Sequence, residues 1–242
     1  MNKREILSSV NNPKVKILKK ILKKGDENYF LVEGHHLVEE ATKNNLIKEI
    51  YEVESQNNYP DSIKITDKVL NVITTTKTPE GVIGLCKKKI KSANLSDKIV
   101  FLDNVQDPGN VGTIIRTSRS FGFNTIYTNI NVYNPKILRA TQGSLFEMDI
   151  RKYNNSIEEV IFLKSKGYKI IATTLDKDSI ELKKVNQNHN KIVLLLGNEG
   201  QGLSKEVQNL SDIKVYIPIE FESLNVAVAA GICLYTLKNG EE

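Results

Sequence analysis

Five polar side chains of this 242-residue chain stand where an apolar core has no use for them: Asn110, Arg116, Glu199, Ser223 and Asn225. Asn110 ends the turn Asp103-Asn-Val-Gln-Asp-Pro-Gly-Asn110, and a helical pattern then runs from Val111 to Phe121, closed by Gly122. Backbone N–H groups and the helix dipole favour an anion at such a start. Arg116 and Arg119 are three apart and share a face, with Ile115 and Gly122 free to point inward. An arginine pair there suits a phosphodiester; an exposed helix face accounts for it equally well. Glu199 lies in Gly197-Asn-Glu-Gly-Gln-Gly202, after the apolar run Lys191 to Leu196. Glycines let backbone approach a flat ligand closely. A plain strand-to-helix turn would also explain them, but it explains the carboxylate less well than a partner does. The spacing is neither G-x-G-x-x-G nor a phosphate-binding Gly-Lys-Ser/Thr loop. Ser223 and Asn225 stand at the mouth of an apolar helical stretch with no charge before Lys238. Ser223 is expected to cap that helix, and Ala227, Ala229, Ala230 and Gly231 keep it thin.

These side chains need a frame, and the pattern supplies one. Asn12-Pro13 opens an amphipathic helix with Val15, Leu18, Ile21 and Leu22 on one side, lysines on the other and Gly25 at its end. Tyr29 to Val32, Ile47 to Val53, Ser62 to Thr66 and Gly81 to Cys86 read as strands. Helices are expected over His35 to Asn44 and Thr66 to Val72. Lys87 to Ser96 reads as a linker. Beyond it, Ile99 to Leu102 is a short apolar run of the kind buried in parallel sheets. Strands at Thr125 to Thr128, Tyr168 to Thr173, Lys191 to Leu196 and Val215 to Ile219 follow. Helices are expected between them, from Asn134-Pro135 and over Ile157 to Ser165. A turn through Glu220, Phe221 and Glu222 leads to the last helix. Alternation of this kind predicts an α/β fold, a mostly parallel sheet with helices on both faces. Ligands in such sheets bind outside the carboxyl ends of the strands, where loops 103–112, 197–204 and 217–225 lie.

The formal net charge is +5, from 34 Lys and Arg against 29 Asp and Glu. It is concentrated in Lys3, Arg4, Lys14, Lys16, Lys19, Lys20, Lys23 and Lys24, and again in Lys87, Lys88, Lys89 and Lys91. Such clusters favour a polyanion, most simply nucleic acid, or form a solvated surface. Cys86 and Cys233 lie far apart, and His35, His36 and His189 form no ligand pattern, so neither disulfide nor metal is expected. The C-terminal run is too rich in small residues and too short for a membrane span of ~20 apolar residues. The polar, basic start carries no signal-peptide pattern, and a reduced cytoplasmic setting is expected.

Taken together, three stretches carry a resemblance. Asp103-Asn-Val-Gln-Asp-Pro-Gly-Asn-Val-Gly-Thr-Ile-Ile-Arg116, Leu196-Gly-Asn-Glu-Gly-Gln-Gly-Leu-Ser204, and Ile217-Pro-Ile with Ser223-Leu-Asn-Val226 resemble the three motifs of the TrmH/SpoU family. Asn134-Pro-Lys-Ile-Leu-Arg-Ala-Thr-Gln-Gly-Ser-Leu-Phe146 is similar to that family's intervening segment, and Phe30 to Ala41 to the start of its small substrate-binding domain of the L30e type. The family consists of S-adenosylmethionine-dependent RNA 2′-O-ribose methyltransferases. The resemblance implies a basic N-terminal helical segment (1–27), an RNA substrate-binding domain (28–92) and a methyltransferase domain (97–242) ending in a trefoil knot. It implies a homodimer through the knot region, with each site built from both chains.

It also implies residue roles. The methyl donor would lie against Thr174, Leu196, Gly197, Gly200, Ile217, Leu224 and Ala229. Arg116 would hold a phosphate and stabilise a developing alkoxide, since a group with a pKa above ~12 is a poor base. Asn110 would orient the target strand or Arg116, Glu199 would anchor Asn110 or Arg116, and Ser223 and Asn225 would meet the ribose. Lys14, Lys16, Lys20, Arg119 and Arg139 would contact RNA, with ribosomal RNA, most simply 23S, favoured over tRNA. The alternative is a non-catalytic RNA-binding or ribosome-assembly protein of the same fold, which would be expected to have lost at least one of the five polar residues. A nicotinamide enzyme fails on the glycine spacing.

Overall fold

The computed structural model describes residues 6–90, 92–186, 189–220 and 222–238. Lys3, Arg4 and Lys91 of the basic clusters and Phe221 of the turn before the last helix lie outside them. The chain forms two compact units, Met1–Ile90 with Val132–Phe146, and Lys91–Asn131 with Glu147–Glu242.

The first unit begins with α1 (Pro13–Lys24). The Asn12 side chain accepts from Lys14 N at 2.9 Å, Pro13 takes the first helical position, and Gly25 ends the helix at φ +75°. Val15, Leu18 and Ile21 are buried with Leu31, Tyr51, Val69 and Ile83. Then come β1 (Tyr29–Glu33), α2 (His35–Lys43), β2 (Ile47–Val53), β3 (Ile63–Ile65), α3 (Asp67–Leu70) and β4 (Val82–Lys87). The sheet order is β1-β4-β2-β3, antiparallel except for the β2–β3 pair. The sequence ran the second domain unbroken from 97, yet Val132–Phe146 with its helix α5 (Pro135–Thr141) packs in the first unit. The reason is aromatic: Phe30 of β1 meets the rings of Tyr133 at 4.7 Å and Phe146 at 6.0 Å between centroids.

The second unit contains β5 (Lys98–Asp103), α4 (Pro108–Ser120), β6 (Thr125–Thr128), β7 (Asp149–Lys152), α6 (Ser156–Ser165), β8 (Lys169–Thr173), β9 (Ile180–Glu181), β10 (Ile192–Gly197), α7 (Lys205–Leu210), β11 (Ile213–Tyr216) and α8 (Val226–Lys238). Its seven strands are all parallel, ordered β7-β6-β5-β10-β8-β11-β9. Central strands β5 and β10 are apolar because both faces are covered. The chain winds outward through β6 and β7 on one side of β5, and the later strands lie on the other. Such a reversal opens a crevice at the carboxyl ends. The register pairs Leu196 with Leu102 and Gly197 with Asp103, so the loops after β5 and β10 leave the sheet side by side.

Candidate functional site

The end of β8, the loop after β10 and the segment after β11 enclose a cleft of about 660 Å³, and the loop after β5 meets it through hydrogen bonds to Glu199. The volume falls within the usual range for small-molecule sites, ~300–1,000 Å³. All seven residues expected against the methyl donor line it: Thr174, Leu196, Gly197, Gly200, Ile217, Leu224 and Ala229. Glu199, Ser223 and Asn225 line it too. Gly197 is required by space. A Cβ there would lie 2.2 Å from the Gly202 carbonyl carbon and 2.3 Å from Leu203 N, both backbone atoms. Leu196, Ile217 and Leu224 offer apolar surface to a flat base. Among the described lining residues Glu199 is the one charged side chain, and no Lys or Arg is present. This donor set fits a cationic, nucleoside-bearing sulfonium, and it suits a diphosphate poorly.

A hydrogen-bonded line crosses the mouth of the cleft. The Glu199 carboxylate accepts from Gln106 N at 3.2 Å, Asp107 N at 3.1 Å and Asn110 Nδ2 at 3.1 Å. Asn110 Oδ1 accepts from Asn225 Nδ2 at 3.0 Å. Asn225 Oδ1 in turn accepts from Ala227 N at 2.9 Å and Val228 N at 3.3 Å. A carboxylate can only accept, so Asn110 must present its amide nitrogen to Glu199. That orientation leaves Asn110 Oδ1 for Asn225, whose own oxygen is left to cap α8. Burial would raise the Glu199 pKa, but the bonds from Asn110 and from the Glu199, Asp107 and Gln106 backbone outweigh it. The carboxyl therefore sits below its ordinary value.

Two helix starts differ from the sequence reading. Asn225 caps α8, and Ser223 lies outside the helix, since Asn225 reaches two orphan N–H groups. Helix α4 begins at Pro108, ahead of Val111: Asp107 is its cap, accepting from Asn110 N at 2.8 Å, with proline at the first position. Asn110 is therefore the third residue of α4, one face of its first turn. Arg116 is exposed on a different face and has no side-chain partner among the described residues. The structure gathers Asn110, Glu199, Ser223 and Asn225, and it does not bring Arg116 to them.

The residues expected to meet RNA are dispersed. In the second unit Arg119 pairs with Glu147 through Nε, at 2.9 Å, and Nη2. In the first, Arg139 Nη1 donates to Thr75 Oγ1 at 2.9 Å and lies 3.6 Å from Glu33. Lys14 pairs with Glu49 at 3.1 Å, while Lys16 and Lys20 are exposed on the outer face of α1. Both cysteines are buried and free. Among the described residues no group of three or more His, Cys, Asp or Glu could hold a metal ion. Among the described residues no helix is long and apolar enough to cross a membrane.

The sequence reading missed Asp107 and Asn198. Asn198 Oδ1 accepts from Gly200 N at 2.9 Å and Gln201 N at 3.1 Å, and this bends the glycine loop into shape. Both had a signal: Asp-Pro is a cap followed by a first-position proline, and an asparagine side chain in a turn commonly bonds the backbone two residues on.

Comparison with known proteins agrees in both units. Residues 97–235 match the SpoU rRNA Methylase family, and residues 12–84 match the MRM3-like substrate binding domain. The chain is 33% identical to the 23S rRNA (guanosine(2553)-2′-O)-methyltransferase RlmP of Bacillus subtilis, over 96% of this chain and 98% of that protein. It is 34% identical to the tRNA (guanosine(18)-2′-O)-methyltransferase of Aquifex aeolicus, over 64% of this chain and 75% of that one. An AdoMet-bound rRNA methyltransferase from Sinorhizobium meliloti superposes with a TM-score of 0.84 at 27% identity, covering 98% of each chain.

Proposed function

The chain belongs to the SpoU rRNA methylase family of S-adenosylmethionine-dependent RNA 2′-O-ribose methyltransferases, and from that premise we propose that its substrate is a ribose of 23S rRNA. The observation carrying the proposal is the cleft itself. Three separate loops converge there on an apolar floor, without a cation, beside the fixed line Glu199–Asn110–Asn225. Similarity over nearly the full length to a 23S rRNA enzyme supports the ribosomal substrate. The first unit would select the RNA, through α1 with Lys14, Lys16 and Lys20, and through Arg139. Arg119 would contact RNA from the second unit. The segment from Ile217 to Leu237 would form the family's knot, and the cytoplasm is the expected compartment.

S-adenosylmethionine supplies an electrophilic methyl group on a positively charged sulfur. Thr174, Leu196, Gly197, Gly200, Ile217, Leu224 and Ala229 would hold it, largely through backbone and apolar surface. Alignment of reacting groups contributes as much as ~7–11 kcal/mol to a barrier, and the remaining residues serve that end. Asn110 and Asn225 hold each other across the cleft mouth. Glu199 accepts three hydrogen bonds already, which makes it an anchor and leaves it little capacity as a base. Ser223 makes no side-chain bond to other described residues and stands at the rim, available to a ribose hydroxyl. Arg116 would hold the phosphate beside the target and stabilise charge on the attacking oxygen. No Arg116 contact draws it into its own cleft, which supports a homodimer in which each protomer supplies Arg116 to the other.

The test is methyl transfer from labelled S-adenosylmethionine to purified 23S rRNA, 16S rRNA and tRNA, followed by mapping of the labelled ribose. Label at one 2′-oxygen of 23S rRNA is expected. Label confined to tRNA or 16S rRNA would overturn the substrate, and an absence of both transfer and donor binding would favour a non-catalytic RNA-binding role.

A further inference from the structure

Asn104 takes the first step out of β5 in a left-handed conformation, φ +58°. Asparagine tolerates that region better than most residues bearing a β carbon. Its N–H donates to Tyr153 Oη at 3.1 Å, and Tyr153 Oη donates to the Leu102 carbonyl at 2.9 Å, so the turn is fixed to the strand end. Asn129 Nδ2 donates to Asn104 Oδ1 at 2.6 Å from the loop after β6. The Asn104 carbonyl accepts from Asn198 Nδ2 at 2.9 Å. Asn198 Oδ1 holds the N–H groups of Gly200 and Gln201, and these bonds tie the residue before Glu199 to the two after it. Two residues past Asn104 begin the N–H groups of Gln106 and Asp107 that receive the Glu199 carboxylate. One turn thus offers both the acceptor that seats the glycine loop and the donors that meet its acid.

We propose that Asn104 is a positioning residue: its left-handed backbone aims a carbonyl at Asn198, and that bond places Glu199 on Asn110. It acts through Asn198 and Glu199, since Asn104 itself does not line the cleft. The kinetic part rests on the methyl-transfer reading; the geometric part does not.

Three variants separate the contributions. Asn198→Asp keeps the acceptor for Gly200 and Gln201 but replaces the donor facing Asn104. Asn104→Ala disfavours the left-handed turn, and Asn104→Gly restores access to it without the side chain. For Asn198→Asp and Asn104→Ala, kcat per folded enzyme should fall by about tenfold or more with KM for RNA within about twofold; the folded fraction is measured by circular dichroism, because an unfolded fraction alone would also lower apparent kcat at constant KM. Asn104→Gly should recover to within about threefold of the parent. Amide hydrogen exchange at Gln106, Asp107, Gly200 and Gln201 should accelerate about tenfold in the first two variants and stay near the parent rate in Asn104→Gly. The proposal falls if Ala and Gly at 104 behave alike, or if Asn198→Asp leaves kcat and exchange unchanged. A parent enzyme that transfers no methyl group would count against the methyl-transfer reading, and the exchange rates alone would then uphold or overturn the clamp.

Discussion

At the level of single residues, the geometry separates an anchor from a charge that acts on substrate. Arg116 touches nothing in its own cleft, so Arg116→Ala should leave donor affinity near the parent value. Its kcat should fall by about 10²–10³-fold, the usual loss on removing one transition-state donor. Calorimetric titration of S-adenosylmethionine beside single-turnover transfer would check the division; parallel loss of both would refute it. Glu199 gives a contrasting case. Its carboxyl is held below the ordinary 4.5, so the grip is complete at neutral pH and is released only on acidification below that value. Glu199→Gln should therefore lower the rate about 10–100-fold by the same factor throughout pH ~6–9, without changing the profile's shape. An altered limb would mean that Glu199 titrates as a base. An acid among glycines was legible as a residue with a partner. The resemblance narrowed that partner to Asn110 or Arg116 and no further, because Asn110 lies 89 positions away and only the register of β5 beside β10 brings the loops together.

At the level of elements, the glycine loop is the most constrained piece. Gly197→Ala would drive a methyl group into the Gly202–Leu203 backbone, 2.2 Å away, where no flexible side chain can yield. A cost of about 1–3 kcal/mol is expected, seen as a Tm lower by several degrees together with weaker donor binding. Thermal unfolding with and without the donor would measure both, and an unchanged Tm would show that the loop can open. The alternation of strands and helices was readable because β5 and β10 are unbroken apolar runs. By contrast β7, with sequence Asp-Ile-Arg-Lys, has neither alternation nor an apolar run, and β9 spans two residues. The sequence pattern had nothing to detect in either. Helix starts slipped where competing caps stood close together, Ser223 ahead of Asn225, and where Asp107-Pro108 was read as the middle of a turn.

For the whole molecule, an arginine without a partner among the described residues and an exposed apolar stripe are the features that a second copy would satisfy. Among described residues the cleft holds no cation, while Arg116 projects from α4 without a partner. On α8, Val228, Ile232 and Tyr235 recur at helical spacing and are 52%, 38% and 58% exposed, an apolar stripe that a polar solvent does not favour. Covering that stripe with its own twofold copy would form a self-complementary interface, as most homodimers do. If each site takes Glu199 from one protomer and Arg116 from the other, the two inactivating changes should complement. In a mixed dimer of Arg116→Ala and Glu199→Gln chains, one site carries both substitutions and the other carries neither. Co-refolded mixtures enriched for the mixed dimer should then recover about half of the parent activity, although each variant alone is impaired. If both residues serve the same protomer's site, every site in the mixture carries one substitution, and activity stays at the level of the separate variants. Differentially tagged chains purified in tandem distinguish these outcomes directly, and the second would exclude a shared site whatever the oligomeric state proves to be.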